Sequence, residues 1–163
     1  PWHRSPKQPP LLINARAETI AEKPAFRDAA RARRCLIPAD GFYEWEATPS
    51  GKQPWFLRLK SHESLAFAGL WENWKTPDGT PLETATIITT DANELVRPVH
   101  DRMPVILQPD DWAAWLDAQT KAEDLKALLK PLPSDLMERY RVSRRMSNAR
   151  NEGEECMAPY RGD

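Results

Sequence analysis

Apolar and polar residues alternate at short period through most of this chain and take up helical spacing mainly near its end. Leu11 to Thr19, LLINARAET, opens with an apolar run and then sets Asn14, Arg16 and Glu18 against Ala15, Ala17 and Thr19. A period of two predicts an extended segment, with functional side chains on one face and small residues on the other. Lys23 to Arg34 is rich in Ala and Arg, has Pro24 near its first turn, and predicts a short helix. Cys35 to Trp45, CLIPADGFYEW, is apolar, breaks at Pro38, Asp40 and Gly41, and resumes with aromatics, the pattern of strand, turn and strand.

Gln53 to Leu59 and Leu65 to Trp74 predict two further strands, with turn signals at Ser50 and Gly51 and again at Asp78 and Gly79. Ala85 to Thr90, ATIITT, is dense in β-branched residues and is expected to lie centrally in a sheet, followed by a strand at Met103 to Leu107. After Pro109 the spacing changes. Asp110 or Asp111 is placed to cap a helix carrying Trp112, Trp115 and Leu116, and Leu125, Leu128 and Leu129 mark a second amphipathic stretch. Tyr140 to Val142 reads as a returning strand, and Ser147 to Asp163 as an irregular tail. Many strands, few helices and no βαβ alternation predict an α+β fold: a mixed, mostly antiparallel, barrel-like curled sheet with a few flanking helices.

Composition narrows the functional classes. The 163 residues suit one domain, and 40% hydrophobic with 29% charged residues is ordinary globular usage. No apolar run approaches the ~20 residues of a spanning helix, and the Pro-rich start PWHRSPKQPP is no signal sequence, so a cytoplasmic protein without membrane attachment is expected. The two cysteines, Cys35 and Cys156, lack ligand spacing, so neither a disulfide framework nor a metal site is expected, and no cofactor is implied. A net charge of -1 argues against a protein that coats nucleic acid by charge alone, so any such site must be local. Arginines do cluster, at Arg31, Arg33 and Arg34, at Arg97 and Arg102, and at Arg139, Arg141, Arg144, Arg145 and Arg150. Solvated faces are the plain alternative for all of these.

Several residues could carry chemistry. Glu44, between Tyr43 and Trp45 with Phe42 on its own face, is a carboxyl in apolar company, which raises its pKa toward that of a general acid; an edge-strand ion pair is the alternative. His100, in VHDRMP beside Asp101 and Arg102, is either a proton shuttle or a hydrogen-bonded structural residue. Asn14 can orient a carbonyl or an amine, and Arg16 on the same face can hold a phosphate bidentately. Cys35 opens an apolar strand and reads as core packing, and Cys156 sits in the acidic run EGEEC, which disfavours a thiolate. The seven tryptophans read mostly as core, with base stacking the alternative for Trp2.

INARAET at Ile13 to Thr19, RRCLIPADGFYEW at Arg33 to Trp45, FAGLW at Phe67 to Trp71, TTDAN at Thr89 to Asn93 and HDRMPVIL at His100 to Leu107 together resemble the SOS response-associated peptidase (SRAP) family in order and spacing. The tail VSRRMSNARNEGEEC is similar as well. The resemblance implies a DNA-repair protein that shields abasic sites in single-stranded DNA by a covalent cross-link. The nucleophile would be a cysteine directly after the initiator Met, whose autocatalytic removal frees an α-amine beside the thiol; the two would close a thiazolidine on the abasic sugar. By motif position, Glu44 would be the acid-base group, Asn14 would orient the amine and His100 would assist ring opening. Arg16 and Arg102 would grip flanking phosphates, Thr89 would add a backbone contact, and Trp2 would match the tryptophan after the family's Pro-rich turn. The implied partners are abasic single-stranded DNA and the replication-repair machinery, with the protein monomeric and nucleoid-associated during repair.

No Met-Cys-Gly start occurs in these residues, so 1–163 reads as a single SRAP domain lacking its N-terminal segment. Two other function classes fit the residues: a non-catalytic single-strand DNA-binding module, and a thiol peptidase pairing Cys35 or Cys156 with His100.

Overall fold

The computed structural model describes residues 12–76 and 78–160. These form two compact units, one built from described residues in 12–38, 66–90 and 104–131, the other from 39–65, 91–103 and 132–160.

The first unit is a mixed sheet with helices. Its strands β1 (Asn14–Arg16), β2 (Arg34–Ala39), β5 (Leu65–Lys75) and β6 (Pro81–Asp91) lie in the order β1-β6-β5-β2, and the short β7 (Arg102–Pro104) also joins at β6. β1 runs parallel to β6, while β5 and β6 form an antiparallel hairpin closed by the bond from Thr76 N–H to the Thr80 carbonyl. ATIITT is central as expected, and its inward residues Thr86, Ile88 and Thr90 are buried. Helices α1 (Arg27–Ala32), α2 (Pro109–Leu116) and α3 (Ala122–Leu128) belong to this unit. Its core joins Ala15, Phe26, Leu70, Ile88, Val105 and Trp115.

One buried cation ties the unit's helix ends together. The Arg34 guanidinium donates to the carbonyls of Ala30 and Arg31 at the end of α1, and to those of Trp115 and Asp117 at the end of α2, all at 2.6–2.7 Å. The last carbonyls of a helix have no intrahelical partner, so a planar fork of donors there satisfies groups that burial would otherwise strand. The Trp115 indole lies under the same guanidinium and donates to the Cys35 carbonyl at 2.9 Å. Cys35 is thus a packing residue: burial pushes its thiol pKa up, and its sulfur fills space beside Gly69, where a Cβ would meet Sγ at 2.9 Å and the Ile37 Cδ1 at 2.7 Å.

The second unit is a three-stranded antiparallel sheet, β3 (Phe42–Thr48), β4 (Gly51–Leu59) and β8 (Met137–Arg141), in the order β3-β4-β8. Pro49 and Ser50 make the tight β3–β4 turn, and Gly51, which pairs with Thr48 to close it, has a φ of 105° that favours glycine. Gly41 is required for a different reason: a Cβ there would collide with the Phe56 ring and the Leu57 carbonyl, so only glycine lets β3 start this close to β4.

The α+β class is as expected, but the barrel-like curled sheet is not what the described residues form. The strands divide between two sheets because β2 and β3, although only Asp40 and Gly41 apart, pair in different directions. β2 goes to β5, whereas β3 zips onto β4, whose other edge is taken by β8 from far along the chain. Local differences follow similar causes. The extended segment expected through Thr19 is a strand only at Asn14–Arg16, since the Thr19 N–H turns back to the Arg16 carbonyl. The first helix is confined to Arg27–Ala32 because Arg34 already belongs to β2. Neither Asp110 nor Asp111 caps α2: the N-cap is Gln108, Pro109 takes the first turn, and both acids fall within that turn, where they complement the helix dipole. The strand expected at Met103 to Leu107 ends at Pro104, and Ile106 keeps only an isolated bridge to Phe67. The returning strand expected at Tyr140 to Val142 instead spans Met137–Arg141, and Val142 keeps an isolated bridge to Pro159.

Candidate functional site

In the second unit β3 presents Phe42, Glu44 and Glu46 on one face and Tyr43 and Trp45 on the other, as strand alternation requires. Glu44 pairs in register with Trp55 of β4 and is half-buried. Burial pushes its carboxyl above the ordinary glutamate range; the nearby His100 charge and the Trp45 backbone N–H oppose this, and Asp101 adds to it. A carboxyl of that kind keeps its proton to higher pH than an exposed one, which is the property a general acid needs.

His100 and Arg102 come from the segment 91–103, which is fastened both internally and to Leu132. The Asn93 amide donates to the Leu132 carbonyl at 2.8 Å and its oxygen accepts the Val96 N–H at 3.0 Å; the Ala92 N–H reaches the Asp101 carbonyl at 2.9 Å. His100 Nδ1 lies 3.0 Å from both the carbonyl and the N–H of Arg102, and 3.3 Å from Asp101 Oδ1. Nδ1 cannot donate to the carbonyl and accept from the N–H at once, so the proton on the ring decides which bond forms. With Nδ1 accepting, the neutral ring carries its proton on Nε2; with Nδ1 protonated it donates to the Arg102 carbonyl or to Asp101. Arg102 is largely covered, and its Nη1 is held by Asp91 Oδ1 at 2.8 Å.

In the first unit Asn14 and Arg16 project from β1 on the exposed face, with the buried Ala15 between them turned to the core. The parallel register sets Arg16 against Thr89. The Thr89 carbonyl accepts the Ala17 N–H at 2.9 Å, and its hydroxyl lies 3.4 Å from the Ala15 carbonyl. Six of the expected site residues therefore fall into two groups, Glu44, His100 and Arg102 in one unit and Asn14, Arg16 and Thr89 in the other. Trp2 lies outside the described residues. Asp91 and Asn93 were not singled out by sequence reasoning. The signal was present in TTDAN, an Asp and an Asn at the end of a β-branched strand, where short polar side chains fasten backbone.

Among the described residues no cluster of three or more His, Cys, Asp or Glu is arranged to hold a metal, and no helix is long and apolar enough to cross a membrane. An open groove of about 470 Å³ lined by Trp71, Glu83, Thr84 and Ala85 lies on the first unit's sheet and includes none of the expected site residues.

Residues 1–149 match the family described as SOS response associated peptidase (SRAP). The chain belongs to the SRAP family. It is 48% identical over 159 residues to the abasic site processing protein YoqW of Bacillus subtilis (strain 168), a match that takes in 96% of this chain and 71% of that protein. It is 34% identical to the abasic site processing protein HMCES of Gallus gallus, covering 90% of this chain and 49% of the relative. In three dimensions it resembles a crystal structure of a protein from Bacteroides thetaiotaomicron, with a TM-score of 0.84, 31% identity, and coverage of 90% of this chain and 66% of that one.

The raised Glu44 carboxyl has a measurable consequence for stability. The pKa of Glu44 is raised on folding, so the folded chain binds its proton more tightly than the unfolded chain. The resulting contribution to stability is fully present below the unfolded glutamate pKa and is lost as pH rises through the folded value. Glu44→Gln removes a charge that is poorly hydrated at neutral pH. The variant is therefore expected to melt higher than the parent near about pH 7, with the gap closing toward about pH 4. Melting curves at the two pH values check this; a gap that does not depend on pH would contradict the raised carboxyl.

Proposed function

We propose that this SRAP chain recognises abasic sites in single-stranded DNA and supports their capture as a covalent thiazolidine by an N-terminal Cys of the whole protein. The observation that carries the reading is Glu44, a half-buried carboxyl whose pKa burial raises and which lies close enough to His100 to feel its charge. The names of the relatives, abasic site processing proteins, support the substrate class.

The chemistry divides into steps these residues fit. His100 assists opening of the abasic sugar to its aldehyde form. The α-amine, oriented by Asn14, adds to the aldehyde carbon to give a carbinolamine. Protonated Glu44 donates to the hydroxyl, which leaves as water and gives the Schiff base. The thiol then adds across that C=N bond, forming the C–S bond, while the carboxylate takes the thiol proton and the nitrogen becomes an amine again. Arg16 and Arg102 hold flanking phosphates, and the Asp91 partner pre-sets the Arg102 guanidinium so that less side-chain freedom is lost on binding. Trp2 and Thr89 complete the strand contacts. Removal of the initiator Met by the protein itself would expose the amine. One family match spans residues in both units, which supports reading the chain as one functional domain. In the same reading it acts as a monomer on DNA in the cytoplasm, at sites of replication-coupled repair.

A thiol peptidase using the chain's own cysteines is less favoured. The Cys35 thiol is pushed toward its neutral form, and Cys156 acts on Tyr43, which is on the face of β3 opposite to Glu44. The test is to react the whole protein with a single strand carrying one abasic site, digest it, and locate the added mass. Addition at an N-terminal Cys is the expected result. Addition elsewhere, or none with binding retained, would overturn the cross-linking mechanism, the latter in favour of a non-catalytic binding module.

A further inference from the structure

The strand register of the second unit sets Glu44, Trp55 and Arg141 in one row across β3, β4 and β8. Residues paired in this way share a sheet face, and Arg139, two positions from Arg141, shares it too. Both guanidiniums rest on the Trp55 ring, their carbons 4.7 Å and 5.2 Å from its centroid for Arg139 and Arg141. The indole is itself fixed, its Nε1 donating to Glu46 Oε2 at 2.9 Å.

Among the described residues no acid lies within ion-pair distance of either guanidinium. Neither arginine makes a side-chain hydrogen bond to a described residue, and Arg139 Nη1 is buried without a hydrogen-bond partner. The neighbouring acids are otherwise engaged: Glu46 accepts the Trp55 N–H, and Glu138, which projects from the other face of β8, is bonded to Arg58 at 2.7 Å. Farther along the chain Arg144 donates to the carbonyl and the hydroxyl of Ser50. A stack of this kind lowers the entropy cost of presenting planar N–H forks, and such forks match phosphate oxygens. With two guanidiniums against it the indole offers little open ring to a base, so the sugar–phosphate backbone is the better partner.

We propose that Arg139, Trp55 and Arg141 form a phosphate-binding rail that carries the single strand from Glu44 outward to the β8 edge. The proposal rests on the DNA reading above and adds to it a contact that is indifferent to the lesion itself.

Fluorescence anisotropy with the whole protein tests it, using two labelled single strands, one intact and one with an unreactive tetrahydrofuran abasic analogue, across a salt series. Each phosphate contact on a single strand contributes about 0.7 to the slope of log K against log salt. Arg141→Gln is expected to reduce the slope by about 0.7, and Arg139→Gln with Arg141→Gln by about 1.4, on both strands equally. Arg141→Lys should keep the slope. Arg141 is exposed, so its replacement should leave the melting temperature unchanged and a folding defect is not the cause. Slopes and affinities equal to the parent's in both variants, or a loss confined to the abasic strand, would overturn the rail while leaving the functional reading intact. Failure of the unaltered whole protein to bind either strand would bring down both.

Discussion

Glu44→Gln in the whole protein is expected to slow formation of the covalent adduct by about 100-fold or more, within the usual span for loss of a general acid-base group. Gln keeps the size and the hydrogen-bonding capacity of the neutral carboxyl but cannot release a proton to the departing hydroxyl or take one from the thiol. Affinity for a strand with an unreactive abasic analogue should not fall, because Gln keeps the hydrogen bonds of the neutral carboxyl and brings no charge that repels phosphate. The pH dependence separates a proton donor from a structural residue. If protonated Glu44 is the active form, the parent's rate falls as pH rises through the raised carboxyl pKa, and the variant lacks that fall. Single-turnover gels across pH measure both, and an unchanged rate would remove Glu44 from the mechanism.

Arg34→Met is expected to have the largest effect on stability, about 3 kcal/mol or more, by urea or thermal unfolding. Arg34 is 8% exposed and serves carbonyls from two helix ends through four short bonds. Methionine conserves the aliphatic stem but leaves those acceptors without their charged donor, and buried acceptors without partners cost about 1–3 kcal/mol each. Water reaching the part-buried carbonyls recovers some of this. Arg34→Lys should fall between, since one ammonium cannot span all four. A Met variant as stable as the parent would show that the helix ends do not depend on this cation.

The contrast between those residues shows what was legible in the sequence. Glu44 could be found because strand alternation and aromatic neighbours imply burial of a carboxyl, and the structure gives it that setting. Asn14 and Arg16 share an exposed face with Ala15 turned inward, as the period of two requires. Arg34 appeared as part of a charge cluster, and nothing local distinguishes it from Arg31 or Arg33; its role depends on carbonyls more than eighty residues away. Strand partners were hidden for the same reason. Ser50–Gly51 and Asp78–Gly79 announce hairpins because the turn chemistry is local, whereas the β4–β8 and β1–β6 pairings join segments with no shared turn. That loss of long-range information is why one curled sheet was expected where the described residues form two. Asp91 and Asn93 carried a local signal in TTDAN, but the groups that they fasten lie farther along the chain.

The central claim is tested most directly on a denaturing gel with a single strand carrying one abasic site, comparing this 163-residue chain with the whole protein. The account predicts a shifted, heat-stable band for the whole protein and none for the chain alone. A stable adduct formed by the chain alone would show that another amine or thiol is competent and would contradict the assignment of the nucleophile to an N-terminal Cys.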